Sequence, residues 1–144
     1  MVGREEGGAM IDVATAQQAL EDNFADWVRA LEPRVTAIGP EGAELVIPIT
    51  PAIARVGGIV SGQALAALAD TAMVFACAGH FGEMRLVSTT NLDTQFLRPG
   101  TGAAIRCRAS VVRAGKALVF ARAELSAEPG DTLVATATAT FYGG

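Results

Sequence analysis

The chain is expected to form an α+β fold in which a curved antiparallel sheet wraps around one long central helix. Two observations carry that expectation. From Ala64 to Ala78 the sequence is apolar on nearly every side, interrupted only by Asp70 and Thr71, and a helix that is hydrophobic all round belongs inside a fold rather than on its surface. After it the pattern changes to period two, in successive runs between Met84 and Tyr142 separated by turn residues, which is the signature of half-buried antiparallel strands. A single helix needs its whole circumference covered, and a strongly curved sheet does that. One such sheet leaves an edge strand and part of the helix bare, so pairing of two subunits is expected, as a dimer or a tetramer.

Composition sets the outer limits. The 144 residues suit one domain, expected at 11–144, behind a flexible Gly- and Glu-rich segment at 1–10. Hydrophobic residues make up 51% and charged ones 18%, which excludes disorder for the bulk of the chain. The net charge of −4 argues against nucleic acid and anionic membranes as partners. The longest apolar run is broken by Asp70 and is expected to fall short of a membrane span. The first ten residues show no signal peptide, and the two cysteines as free thiols suit a reducing cytoplasm, the expected location. Cys77 and Cys107 have no metal-ligand spacing and read as buried free thiols, and one histidine cannot build a histidine-rich metal site. No cofactor is implied.

The elements follow in order. Ala14 to Leu31 reads as an amphipathic helix with Leu20, Phe24, Trp27, Val28 and Leu31 on one stripe, Thr15 as its cap and Glu32-Pro33 as its end. Arg34–Ile38 and Ala43–Thr50 form a hairpin, and Pro51–Val60 is a loop. Ser61 then caps the central helix and Gly79 reads as its stop. Met84–Leu97 places Leu86, Leu92 and Phe96 on one face. The same parity sets Thr89 with Asn91, Asp93 and Gln95, away from Leu92, unless a bulge re-aims it. Ala103–Arg113 and Ala117–Ala127 are the next strands. Glu128-Pro129-Gly130-Asp131 has type II turn chemistry. The last strand, Thr132–Tyr142, turns Leu133, Ala135, Ala137, Ala139 and Phe141 inward and Val134, Thr136, Thr138 and Thr140 outward.

Asp70 is the exception in this scheme. A carboxylate in the third turn of a buried helix is costly, and burial raises its pKa. Such a group is kept for a hydrogen-bond network or for chemistry. Gln63 lies seven residues earlier on the same face, about 10 Å away along the axis, with Ala67 between them. Gly62, with no Cβ, can present its N–H closely to a ligand at the helix N-terminus. Arg55, Arg98, Arg113 and Lys116 are candidates for holding phosphates, and His80 suits a structural place at the helix C-terminus.

The stretches SGQALAALADTAMVFAC, TTNLDTQFLRPG, VVRAGKALVFARAEL and VATATATFY, over roughly Glu44 to Tyr142, resemble the hotdog-fold acyl-CoA thioesterases of the phenylacetic acid degradation type. The LADTA segment and the FLRPG strand end carry the resemblance most specifically. It implies hydrolysis of an acyl-CoA to a free acid and CoA, with CoA present only as part of the substrate. It also implies an acid on the helix that activates water or attacks the carbonyl, here Asp70. A hydroxyl in the next strand, here Thr89, places that water. The family's His-Gly-Gly at the helix start, whose N–H groups polarise the thioester carbonyl, falls on Ser61-Gly62-Gln63. Serine thus replaces the histidine and glutamine the second glycine, while an upstream asparagine becomes Arg55. The resemblance implies that acid and oxyanion site come from different subunits, with the N–H of Gly62, joined by that of Gln63, supplying the donors.

Two rival functions stand beside this one. A hotdog protein that binds acyl-CoA or another small ligand without turnover is compatible with the changed histidine and asparagine positions. A hydratase or dehydratase on the same fold would resemble its relatives in needing an Asp/His pair, and His80 stands at the wrong end of the helix for that.

Overall fold

The computed structural model describes residues 10–143. The flexible segment expected at 1–10 lies outside the described residues except for Met10. Helix α1 spans Val13–Asn23 and a single turn, α2, spans Asp26–Arg29. Strands β1 (Arg34–Gly39) and β2 (Gly42–Pro48) form a hairpin, and a small second hairpin joins β3 (Ala54–Arg55) to β4 (Ile59–Val60). Helix α3 runs from Gly62 to Phe81. Strands β5 (Ser88–Phe96), β6 (Ala104–Ala114), β7 (Leu118–Glu128) and β8 (Thr132–Tyr142) complete the chain. The six long strands form one antiparallel sheet in the order β1-β2-β6-β7-β8-β5, wrapped around α3. This is the hotdog architecture expected from the sequence.

The core is the interface between α3 and the sheet, with Leu65, Leu68, Met73 and Phe75 of the helix buried together with Leu45, Ile47, Ile105, Leu125 and Phe141. Ser61 caps the helix as expected, its Oγ accepting from the Ala64 N–H at 3.2 Å. The end differs. The helix runs past Gly79 to Phe81 and closes on Gly82, whose left-handed φ of 82° and N–H bond to the Ala78 carbonyl (2.8 Å) are the stop signal. Gly79 serves a different purpose. A Cβ there would lie 2.2 Å from the Gly39 carbonyl oxygen, so the residue lets the β1–β2 turn touch the helix backbone. The helix is also long and apolar enough to cross a membrane, contrary to expectation, with 20 residues and a mean hydropathy of 1.5. Yet 72% of that window is buried within the fold.

The first helix is shorter than its stripe suggested. Asp12, not Thr15, is the cap, its Oδ1 accepting from the Thr15 N–H at 2.8 Å. The chain breaks at Phe24, which takes extended backbone and stacks its ring on Phe75 at 5.5 Å between centroids. That break buries Leu20 and Leu31 but turns Trp27 out, leaving it 62% exposed. Gln17 ties α1 to the sheet. Its Oε1 accepts from the Val35 N–H (2.8 Å) and its Nε2 donates to the Pro33 carbonyl (3.2 Å). The side-chain amide thus stands where a neighbouring peptide would and blunts the outer edge of β1. The other edge, β5, has no such cover among the described residues, and its Leu92 and Phe96 are exposed.

Bulges decide where the alternation fails. In β8 the register passes from Leu125 opposite Ala135 to Ser126 opposite Leu133, so Val134 is the extra residue. Val134 is therefore buried and Leu133 only half-buried, the reverse of the expected facing, whereas Ala135, Ala137, Ala139 and Phe141 point inward as expected. In β5, Thr89 pairs with Phe141 but Asn91 pairs with Thr140, which leaves Thr90 as the insertion. Leu86 precedes the strand and is almost fully exposed. The β7–β8 turn has positive φ at Gly130, as a type II turn requires, and also at Asp131. Both cysteines are buried free thiols, and burial pushes Cys77 up to about 11 and Cys107 higher still. On the sheet, Arg106 bridges Glu44 and Glu128, and Arg108 bridges Glu44 and Asp131.

Candidate active site

Helix α3 keeps one face away from the core, and on it lie Gln63, Ala66, Ala67, Asp70 and Val74. Asp70 is half-buried there, and its Oδ1 accepts a hydrogen bond from Thr89 Oγ1 at 2.8 Å. The bulge at Thr90 makes this pair possible. By unbroken alternation Thr89 would face away from Leu92, but the inserted residue reverses the parity, and Thr89, opposite Phe141, turns toward the helix. Burial raises the pKa of Asp70 above the ordinary carboxylate value, and the Thr89 hydroxyl pulls it partly back. A carboxylate in that state takes up a proton more readily than an exposed one, which suits a general base.

The second half of the site is the start of α3. The Ala64 N–H is taken by Ser61, whereas the N–H groups of Gly62 and Gln63 have no partner among the described residues. They point out of the positive end of a 20-residue helix, a natural place for an oxygen that gains negative charge. Beside them is a cavity of about 390 Å³ that brings together Arg55, Gly62 and Arg98 with Val60, Leu65 and Phe96. A larger cavity, of about 580 Å³, lies between α1 and the β1–β2 edge and contains none of the expected site residues.

Not all of the candidate site residues come together within one chain. Asp70 and Gly62 lie eight residues apart on α3, about 12 Å along the axis, so one chain does not hold acid and donors against the same carbonyl. Arg113 pairs opposite Phe120 on the outside of the sheet, because an inserted residue, Val112, turns it from the inward face that Val111 occupies. Lys116 sits exposed in the β6–β7 hairpin. Neither joins the cavity. His80 falls in the last turn of the helix rather than beyond it, exposed and edge-on to Phe81 at 5.4 Å between centroids. Sequence reasoning named Arg98 but missed the rest of the cavity wall it belongs to. Phe96, Leu97, Arg98, Pro99 and Gly100 all line it, and the FLRPG stretch was the available signal.

The thioesterase superfamily matches residues 57–134, the span that contains α3, β5, β6 and β7. A protein of Thermoplasma acidophilum named provisionally as an esterase is 31% identical over 118 residues, covering 81% of this chain and 86% of its own. The structure of a conserved Pseudomonas aeruginosa protein superposes with a TM-score of 0.78 and 28% identity, covering 88% of this chain and 99% of that one. A thioesterase family protein of Silicibacter pomeroyi superposes with a TM-score of 0.76 and 27% identity, covering 88% and 96%. With its hotdog sheet, its matched helix and strands and these relatives, the chain belongs to the thioesterase superfamily of hydrolases.

Proposed function

We propose that this protein is an acyl-CoA thioesterase of the phenylacetic acid degradation type, releasing a free acid and CoA. The observation that carries the reading is the Asp70–Thr89 pair. It sets a half-buried carboxylate of raised pKa, held by a hydroxyl, on the open face of the central helix. In the reaction Asp70 takes a proton from water as that water attacks the thioester carbonyl, with Thr89 orienting it. The Gly62 N–H, with that of Gln63, receives the developing oxyanion. The carbon–sulfur bond then breaks, and the thiolate takes the proton from Asp70. Asp70 as a direct nucleophile is the variant form of the same scheme.

The 12 Å between acid and donors within one chain and the bare β5 edge support a homodimer, or a tetramer built from dimers, in which the acid of one subunit meets the Gly62 of its partner. Arg55 and Arg98 at the cavity supply positive charge for the CoA phosphates, with Ser61 holding the helix start. Arg113 and Lys116, lying apart, would contribute only from across an assembly. The proposal includes a cytoplasmic setting, no nucleic acid or membrane partner, and no cofactor beyond the CoA of the substrate. The test is thiol release from a panel of acyl-CoAs, phenylacetyl and benzoyl beside straight chains. Turnover of at least one member at rates lost in Asp70→Ala is the expected result. Saturable binding of acyl-CoA with no release from any member would instead make the protein a ligand-binding hotdog.

A further inference from the structure

The FLRPG segment enters the proposed reaction only through Arg98, yet all five of its residues line the cavity at Gly62. Its backbone is fixed on both sides. The N–H groups of Leu97 and Arg98 donate to the Val134 carbonyl at 2.8 and 3.3 Å, and the Val60 N–H donates to the Gly100 carbonyl at 2.9 Å. The wall is therefore set, and what varies the cavity is its side chains. Phe96 stands out among them. It lies opposite Ala135, on the face of β5 that looks toward the helix. Its ring reaches Gly62 tip first, with Cζ, Cε1 and Cε2 at 3.2, 3.5 and 3.6 Å from where a glycine Cβ would stand. Even so, Phe96 is 56% exposed. A large apolar ring left half in water contributes little to the core of its own chain. It occupies the space directly in front of the residue that offers the oxyanion donor, and Val60 and Leu65 continue the apolar wall behind it.

Resting on the reading of the site as a thioesterase centre, we infer that Phe96 is its specificity-determining residue: the ring bounds the acyl group that lies at Gly62 and sets the length accepted. An apolar pocket discriminates one methylene by on the order of 10-fold or more, so a change in ring size shifts the preferred chain rather than scaling all rates alike. The experiment compares kcat and KM of the wild type, Phe96→Ala and Phe96→Trp over saturated acyl-CoAs of two to twelve carbons, with the oligomeric state followed by size exclusion. The expected result is an optimum that moves to longer chains in Phe96→Ala and to shorter ones in Phe96→Trp, on the order of 10-fold per methylene at the cut-off, with assembly unchanged. A uniform loss across all lengths, with or without dissociation, overturns the assignment. If the wild type hydrolyses none of the series, S-alkyl-CoA thioethers of the same lengths are titrated. A length optimum that moves with residue 96 upholds the role of Phe96 while confining hydrolysis to aryl thioesters such as phenylacetyl-CoA, and length-independent binding overturns the role of Phe96.

Discussion

Asp70→Asn is expected to lower kcat/KM by about 10²- to 10⁴-fold, the usual contribution of a positioned general base, while its thermal midpoint at neutral pH stays at or above that of the wild type. The asparagine keeps the size of the side chain and an Oδ1 that can accept from Thr89 Oγ1, as the carboxylate does at 2.8 Å. What it loses is a charge that burial disfavours. The sign comes from linkage. The folded-state pKa of Asp70 lies above its value in the unfolded chain, so the folded protein holds the proton more tightly. Wild-type stability therefore falls as pH rises from the unfolded value through the raised one. Asp70→Asn escapes that loss, so the two proteins converge in acid and separate in favour of the variant at neutral pH. Paired thermal melts and kcat/KM measurements check both halves. A variant that loses activity because it unfolds would show the midpoint falling with the rate.

Gly79→Ala gives the second large effect, and two rules oppose each other in it. Alanine is the better helix former by up to about 1 kcal/mol, and Gly79 lies within α3. Against this, the new Cβ would stand 2.2 Å from the Gly39 carbonyl oxygen and 3.1 Å from its carbon, both backbone atoms that no rotamer change can move. The β1–β2 turn must retreat from the helix, and such overpacking costs about 1–3 kcal/mol, or roughly 3–10 °C in Tm for a chain of this size. The close approach is expected to win. A melt showing Gly79→Ala as stable as the wild type or more so would mean that the turn yields freely and that the contact does not hold the sheet to its helix.

These two residues also show what the sequence could and could not disclose. The uniform apolarity of 64–78 and the period-two runs after it sufficed for a sheet wrapped around a helix, because both patterns are properties of whole segments. Gly79 and Gly82 could not be told apart by pattern: either glycine is an acceptable helix stop, and only the Gly39 contact, forty residues away in the chain, assigns their roles. Inserted residues were equally hidden. Thr90, Val112 and Val134 each reverse the facing of the strand beyond them, and nothing in Ser-Thr-Thr-Asn or Thr-Leu-Val-Ala marks which residue is extra. The site was half legible for the same reason. Asp70 stood out as a carboxylate in an apolar helix, and Gly62 by its place at the helix start. Thr89 came within reach only through a bulge, and Phe96 looked like a core residue until its ring was found at Gly62. The kink at Phe24 belongs here too, since the stacking on Phe75 that redirects the chain and exposes Trp27 is a tertiary contact.

The claim that Asp70 serves as the base is tested most directly by the pH dependence of kcat/KM, on the best substrate of the panel, for the wild type and Thr89→Val. The base acts only when ionised, so activity falls on the acid side of its pKa. Burial holds that pKa above the ordinary carboxylate value of about 3.9, and the Thr89 hydrogen bond opposes the rise. The expected result is an acid limb above that value in the wild type, displaced further upward in Thr89→Val, whatever the loss in maximal rate. An acid limb at the ordinary value, or one that Thr89→Val leaves in place, would contradict Asp70 as the catalytic base.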